Sequence, residues 1–476
     1  MRKQKLSRRE ILKAAGALTA TAALPSGFTL AAEPGANRRY IFVICAAGGA
    51  SVIDSFMAQP TGVAAFTNLV KPAGSAFSAV PVLQNSIQGA IPLGNGYAQA
   101  TFLAKYGADI AVLTSEVSSV NHIIAAKRAI SGDNTNGGRT IQEAVAAKYG
   151  SGLAIPNLNM ASGGYAEHGD DLSIPEVARG QFVADPMMFA LSTHGFRGVK
   201  GPLDAKDFTA LRALRKQLEP MSRFYQRFGS DKLYAAYHKN RETIVKMLEQ
   251  GDMATKLMLL DPQTNALAEY GFTVSDDVNQ VRAKFSGLAT DPFEQRMALA
   301  YIAVKNGLTT AVTIAPPAGP LVTAQGSPNS PIAFDWSHVD HRGAQNAMWS
   351  YILKSTDSLI DLLKTTKDPA APERTMWDNS LIFFATEFGR DKIASGGSGH
   401  HLNNGSVIIS PLINGNKIYG GVDPATGLTF GFDPATGAPD QNRKMKEKDI
   451  YGAIAHALDI EFTGRQSAPA VVKAKT

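Results

Sequence analysis

Five short apolar runs, each of strand length, constrain the fold of this chain most strongly. They lie at residues 39–46, 109–114, 308–314, 381–386 and 406–409. The first run is apolar without alternation, which indicates a strand buried on both faces, as in a parallel sheet. Helical patterns separate the runs, at residues 140–149, 292–305, 341–363 and 448–458. Strands that alternate with helices predict an α/β protein whose doubly wound, mostly parallel sheet is flanked by helices.

Three further regions complete the predicted organisation of the domain. Residues from about 205 to 270 are rich in Leu, Ala, Lys, Arg and Gln, which predicts two or three helices inserted between sheet strands. Residues 153–204 are rich in Gly, Pro and Asp and predict irregular structure. The sequence Asp-Pro-Ala-Thr-Gly occurs at 423–427 and 433–437, where it predicts two turns around a short strand. We expect residues 33–476 to form one domain.

Residues 1–32 form a basic leader. The segment from Ser7 to Lys13 contains Arg8 and Arg9 and resembles the twin-arginine export motif. An Ala-rich run and small residues near 30–32 follow, as expected for a signal peptide. We therefore expect the twin-arginine translocase to carry the folded chain to the periplasm. The alternatives are a basic amphipathic helix and an uncleaved membrane anchor.

The distribution of charge and the cysteine count exclude several classes of protein. The net charge is +6, and the leader alone has six basic side chains against one acidic one. The rest of the chain is nearly neutral, so charge gives no reason to expect nucleic acid as a partner. The single cysteine, Cys45, excludes an internal disulfide, a cysteine-rich zinc site and an iron–sulfur cluster.

Polar residues after the first predicted strand are the first candidates for a site, because ligands bind at the carboxyl ends of strands in such sheets. Gly48 and Gly49 are followed by Ser51 and Asp54, which are candidate metal ligands. No dinucleotide fingerprint or phosphate-binding loop motif is present. The alternative is a tight turn in which Asp54 caps a helix.

The second predicted strand is followed by a candidate catalytic segment. Ser118 and Ser119 are candidate nucleophiles, and Asn121 and His122 stand at a predicted helix start, where oxyanions bind. Ordinary capping of the helix is the alternative interpretation.

A dense group of candidate ligands precedes the helix predicted at 341–363. Asp335, His338, Asp340 and His341 lie within seven residues of one another. Carboxylate and imidazole together suit zinc, iron or manganese. Alternatively, Asp340 caps the helix and the histidines are solvated.

The last candidates follow the fourth predicted strand. Glu387 is a candidate ligand or base, and Arg390 is a candidate for holding an anionic group. An internal Glu–Arg ion pair is the alternative. His400 and His401 lie in a Gly-rich loop. Adjacent residues do not easily share one metal, so one of them is expected only to support the site.

Several of these segments occur in the same order in one family. They are the leader, residues 48–56, residues 121–122, residues 386–390, residues 399–401 and the closing helix at 448–458. Over essentially the whole mature chain the sequence resembles the exported bacterial family named domain of unknown function 1501. The element from Glu387 to Arg390 is the most specific part of the resemblance.

That family is related to the alkaline phosphatase and sulfatase superfamily. The resemblance implies an alkaline-phosphatase-like sheet flanked by helices and metal-assisted hydrolysis of phosphate or sulfate esters. The chain departs from the family at Ser51, where many relatives have Asp, at Asn121, where Ser often precedes the histidine, and at His400, where an Asp-His pair is common. A site with fewer carboxylates has less negative charge with which to bind divalent metal ions. We expect one divalent metal (zinc, manganese or calcium) on Asp335, His338 and one of the paired histidines.

Two functions from different classes follow. The first is an exported metal-dependent hydrolase of small anionic phosphate or sulfate esters. Its nucleophile is Ser118, Ser119 or a metal-activated water, and Arg390 or the helix start at Asn121 stabilises the developing charge. The second is a catalytically inactive protein that binds an envelope glycan or a partner. The resemblance implies a second exported protein encoded nearby as that partner.

Overall fold

The computed structural model of the chain describes residues 38–57, 69–81, 96–133, 138–193, 205–232, 234, 253–261, 264, 267–268, 275–316, 333–391, 396–461 and 467–474. The leader at 1–32 and residues 235–252 of the expected insertion lie outside the described residues. The chain divides by its internal contacts into a smaller unit, which includes residues 199–252, and a larger unit of residues 32–198 and 253–476.

The larger unit contains all the strands of the described residues. The strands are β1 (Tyr40–Cys45), β2 (Ile110–Glu116), β3 (Asn157–Met160), β4 (Gln181–Phe182), β5 (Ala311–Ile314), β6 (Lys367–Asp368), β7 (Ala371–Thr375), β8 (Ser380–Ala385), β9 (Gly389–Arg390), β10 (His400–His401), β11 (Asn403–Ile409), β12 (Lys417–Tyr419), β13 (Gly421–Val422), β14 (Thr429–Phe432) and β15 (Pro439–Asp440). The α-helices of the described residues are α1 (Val52–Phe56), α2 (Gln99–Tyr106), α3 (His122–Ser131), α4 (Ile141–Tyr149), α5 (Pro186–Thr193), α6 (Ala205–Leu218), α7 (Arg223–Phe228), α8 (Met253–Leu257), α9 (Asp276–Lys284), α10 (Pro292–Lys305), α11 (His341–Thr365) and α12 (Glu447–Ala457).

An eight-stranded sheet forms the centre of the larger unit, in the order β12-β2-β11-β8-β1-β5-β3-β4. All neighbours pair in parallel except β11, which is antiparallel to both β2 and β8. The chain passes from β8 to β11 through the hairpin of β9 and β10, and the described residues of this connection contain no crossover helix, so β11 returns in the opposite direction. The predicted α/β class with a large, mostly parallel sheet is confirmed.

The buried residues of β1 show why the sheet lies in the middle of the core. Phe42 and Ile44 pack in a hydrophobic cluster that also contains residues of α10 and α11. Val43 and Cys45 pack in a second cluster, with residues of α3, α4 and α12. Since successive side chains of a strand point to opposite faces, helices cover the sheet on both sides. The prediction that helices flank the sheet is therefore confirmed.

The prediction of irregular structure at 153–204 was wrong for three segments between residues 153 and 193, and residues 194–204 lie outside the described residues. This stretch contributes β3 and β4 to the sheet, and also contains α5. Strand β3 is difficult to recognise from the sequence because Asn157 and Asn159 replace apolar residues on one of its faces. Their side-chain N–H groups donate to the backbone carbonyls of Ala178 and Tyr165, which offsets part of the cost of burying these amides.

The other local predictions agree with the structure. Each of the five predicted strands is present, and the two Asp-Pro-Ala-Thr-Gly segments are turns on either side of β14. The smaller unit contains α6 and α7, where helices were predicted. No helix among the described residues has both the length and the hydropathy needed to cross a membrane.

Candidate functional site

The loop after β1 approaches the hairpin of β9 and β10 closely. Gly48 and Gly49 have φ angles of 90° and 79°, which favour glycine. A Cβ on Gly49 would lie 2.5 Å from the ring of Phe388. Glycine at this position therefore lets the backbone carbonyls of the loop reach the side chain of Arg390.

Arg390 is fully buried and joins the loops around the site. Its guanidinium donates to the carbonyls of Gly48 and Gly49, to the carbonyl of Ser398 at 3.0 Å and to Asp335 Oδ1 at 2.8 Å. Because these donors are used inside the protein, the position does not support the prediction that Arg390 holds a substrate anion. The arginine instead fixes the position of Asp335.

Three imidazoles converge on Asp335. Its Oδ1 atom lies 3.5 Å from His122 Nε2, 3.2 Å from His338 Nε2 and 3.4 Å from His400 Nε2. The Nε2 atoms of His338 and His400 are 2.8 Å apart. His338 comes from the 3₁₀-helix Ala333–His338, His122 begins α3, and His400 lies on β10. We call the group of His122, Asp335, His338 and His400 the histidine cluster.

The other ring nitrogens of two of these histidines have fixed partners. His122 Nδ1 donates to Glu387 Oε1 at 2.9 Å, and His400 Nδ1 donates to the carbonyl of Val120 at 3.1 Å. Glu387 is buried, and its Oε1 also accepts from the backbone N–H of Gly48 at 2.6 Å. A proton held on Nδ1 leaves the Nε2 lone pair directed into the cluster, which is the arrangement of metal-binding histidines.

Burial and neighbouring charges shift the pKa values of the cluster histidines in opposite directions. The hydrogen bond to Glu387 raises the pKa of His122. Burial and the positive charge of Arg390 lower the pKa of His338. Burial, Arg390 and His122 lower the pKa of His400. The lowered pKa of His338 and of His400 favours the neutral imidazole, which is the form that metal ligation and proton acceptance require.

The donor set of the cluster fits a divalent metal. The ligand atoms of His122, Asp335 and His400 all lie within 4.8 Å of one another. Ligands about 2.1 Å from a tetrahedral zinc are about 3.4 Å apart, which is close to the distances from Asp335 to the other two. Three protein ligands leave a coordination position open, as catalytic zinc sites do. All three side chains are partly exposed, so an ion can enter from solvent.

The predicted nucleophiles have other partners. Ser118 donates from its hydroxyl to Glu447 Oε1 at 2.7 Å and accepts from Arg128 at 3.1 Å. The Ser119 hydroxyl accepts from the N–H of Asn121, whose side chain accepts from the N–H of Ile124. Asn121 is thus the N-cap of α3, as the alternative interpretation stated. This placement does not support nucleophilic attack by either serine.

Three other predicted ligands form a separate, fully buried group. The Ser51 hydroxyl donates to Asp54 Oδ2 at 2.5 Å, and His341 Nε2 lies 3.2 Å from the same oxygen. Gln345 accepts from the N–H of Ser51 at 2.9 Å. We call Ser51, Asp54, His341 and Gln345 the buried polar group. These hydrogen bonds within the core give the three predicted ligands a structural role.

The two adjacent histidines have different surroundings, as expected. His400 belongs to the histidine cluster, whereas His401 Nδ1 accepts from the N–H of Asn403 at 3.0 Å.

Asp340 caps α11 by accepting from the N–H of Gly343 at 2.9 Å. Sequence reasoning missed the Val120 carbonyl as the partner of His400, because a backbone group has no side-chain pattern that could mark it.

A polar cavity lies elsewhere in the larger unit. It is lined by Gln142, Glu143, Asn157, Asn159 and Thr313, among others, and its volume is about 10 Å³. This is the space of one water molecule, too small for an ester substrate.

Comparison with known proteins identifies the leader. A family model described as the TAT (twin-arginine translocation) pathway signal sequence matches residues 5–25. The chain thus carries a twin-arginine signal, passes through the twin-arginine translocase and is exported across the membrane. Neither the curated proteins nor the solved structures give a match to this chain.

Proposed function

We propose that this exported chain is a periplasmic, metal-dependent hydrolase of phosphate or sulfate esters. The observation that carries the proposal is the convergence of Nε2 atoms from His122 and His400 on Asp335, while Glu387 and the Val120 carbonyl hold their Nδ1 protons. The ligands are one carboxylate and two imidazoles, a set that suits zinc or manganese better than calcium.

The proposal extends to the fold family. The histidine cluster stands beside the carboxyl ends of β1, β2 and β8, where ligands bind in sheets of this class. This position, together with the resemblance to domain of unknown function 1501, supports an alkaline-phosphatase-like fold. The carboxylates missing relative to that family, at Ser51 and His400, favour one metal over two.

Each residue of the cluster has a separate part in the proposed reaction. A metal held by His122, Asp335 and His400 would supply Lewis-acid polarisation of the ester oxygen. Arg390 orients Asp335, and Glu387 orients His122, so both ligands are held before substrate binds. In this structure His338 Nε2 donates to His400 Nε2 at 2.8 Å. With His400 Nε2 bound to a metal instead, His338, the most exposed of the three imidazoles, would accept at Nε2 the proton of the attacking water. Water would attack the phosphorus or sulfur atom, the bond from that atom to the ester oxygen would break, and the leaving alkoxide would take back the proton from His338 to depart as the alcohol.

Metal content of the exported, mature protein tests the proposal. We expect about one ion per chain in protein purified without added metal or chelator, measured by elemental mass spectrometry. His122→Ala and His400→Ala should lose the ion, whereas His401→Ala, the matched neighbour, should keep it. His338→Ala should keep the ion and lose hydrolysis of phosphate and sulfate esters. No bound metal, with no stabilisation by zinc, manganese or calcium, would contradict the proposal.

A second function is favoured by one observation. Arg390 is buried, and Ser118 and Ser119 have other partners, so these predicted catalytic residues do not face a substrate. A chain that binds metal without turnover would be a binding protein for an envelope glycan or for a second exported protein encoded nearby. Stoichiometric metal with no hydrolysis across the ester screen would select this function.

A further inference from the structure

Exposed apolar side chains are sequence neighbours of three members of the histidine cluster. Val120, Ile123, Ile124, Val339 and Leu402 are 39%, 58%, 47%, 47% and 43% exposed. Each of them lies within two residues of His122, His338 or His400. We call these five residues the apolar collar. Large apolar side chains grouped on a surface mark binding sites more often than isolated ones do.

The collar is built from three separate segments of the chain. The carbonyl of Val120 accepts from His400, so this residue is held against the cluster. The carbonyl of Leu402 accepts from the N–H of Val117 at 2.8 Å, which joins the strand segment after β10 to the loop before α3. Ile123 and Ile124 form the first turn of α3, directly after His122. The histidines of the cluster thus carry the collar on their own sequence neighbours.

The basic groups near the collar already have acidic partners. On α3, Lys127 pairs with Asp170 at 3.0 Å, and Arg128 pairs with Asp133 at 2.9 Å. Arg390 is buried beneath the cluster. The surface around the proposed metal therefore favours an apolar group next to the reacting ester more than a second anionic group.

Resting on the proposed function, we infer that the substrate is an amphipathic ester. Its phosphate or sulfate group lies at the histidine cluster, and an alkyl chain of several carbons on the ester oxygen lies on the apolar collar. Hydrolysis then releases a long-chain alcohol and inorganic phosphate or sulfate. Each methylene placed on the collar contributes up to about 0.8 kcal/mol, equivalent to a roughly fourfold change in affinity.

A series of alkylphosphonates from methyl to octyl tests this inference, since their carbon–phosphorus bond resists hydrolysis. We expect the dissociation constant for the metal-loaded mature chain, measured by calorimetry, to fall about two- to fourfold per added methylene. The double variant Ile123→Ser, Ile124→Ser should keep its metal and its methylphosphonate affinity but lose most of this dependence. Leu172→Ser, Val177→Ser is the matched control, because both residues are exposed apolar side chains outside the collar.

The outcomes separate this inference from the proposed function. A chain that holds metal but binds all the phosphonates equally, or binds none, overturns the amphipathic substrate and leaves the metal site standing. The inference is also overturned if the serine variant keeps the full dependence on chain length. Failure to hold any metal overturns the proposed function and the inference together.

Discussion

Two groups of similar composition lie near the same edge of the sheet, and they differ in burial. The buried polar group places Asp54 against His341, with both side chains inaccessible to solvent. The histidine cluster places Asp335 against His122 and His400, whose side chains are 30% and 20% exposed. Both groups contain the residue types that sequence reasoning selects as metal ligands.

The comparison teaches that hydrogen-bond partners decide what such a group does. In the buried polar group, Ser51 and His341 are directed at one oxygen of Asp54, and the hydrogen bonds hold core segments together. In the histidine cluster, outside acceptors hold the Nδ1 protons of His122 and His400, so the Nε2 atoms remain for a ligand. We therefore expect the first arrangement to have a structural role and propose that the second binds a cation.

Removal of Arg390 should have the largest effect, since its guanidinium links the loop after β1 to Asp335. Arg390→Met leaves the Asp335 carboxylate and the carbonyls of Gly48 and Gly49 without their donor. We expect the free energy of unfolding to fall by about 3–5 kcal/mol. Urea denaturation of the metal-free protein measures it. A loss of less than about 1 kcal/mol would show that the arginine is not structural and would reopen its role in anion binding.

A matched pair of histidine substitutions tests the comparison directly. His341→Ala opens a cavity in the core and removes the partner of Asp54, so we expect a loss of about 2–4 kcal/mol. His400→Ala removes a partly exposed side chain, and we expect the free energy of unfolding of the metal-free protein to fall by less than about 1 kcal/mol. Metal binding should show the opposite dependence: His341→Ala should retain the bound metal, and His400→Ala should lose it. Equal losses of stability would break the distinction between the groups.

Glu387→Gln should weaken metal binding without unfolding the protein. The amide oxygen still accepts from Gly48, but the charge that holds the His122 imidazole is gone. We expect the metal affinity to fall about 10- to 100-fold, which is the usual effect of changing a residue that accepts a hydrogen bond from a metal-binding histidine. Competition with a chelator of known affinity measures it. Asp391→Asn, a change of a nearby carboxylate that is not in the cluster, is the control.

The smallest expected effect is a pH dependence of the metal-free protein. Glu387 raises the pKa of His122, so their ion pair stabilises the fold fully below the unfolded value of about 6.5. This contribution is lost as the pH rises through the raised pKa. The stability difference between wild type and Glu387→Gln should therefore be larger at pH 5.5 than at pH 9. NMR titration should show a lower His122 pKa in the variant, and an unchanged pKa would contradict the assignment.

Local pattern alone was sufficient for much of this protein. The leader, the five apolar strands and the helices between them follow from charge, continuous hydrophobicity and helical periodicity. These features depend on residues that are close in sequence, so they can be predicted from one sequence alone. The positions of Glu387 and His400 after β8 were also enough to select them as candidates, because loops at strand ends carry function in such sheets.

Only the tertiary structure decided which candidates meet. His122 and Glu387 are 265 residues apart in sequence, and His338 and His400 are 62 apart. No local pattern distinguishes His400, whose ring faces the cluster, from its neighbour His401. The antiparallel direction of β11 and the burial of Arg390 likewise depend on how distant segments pack. Sequence determines which segments are buried and which residues carry chemistry, but long-range packing sets the partner of each polar atom, and that partner determines its role.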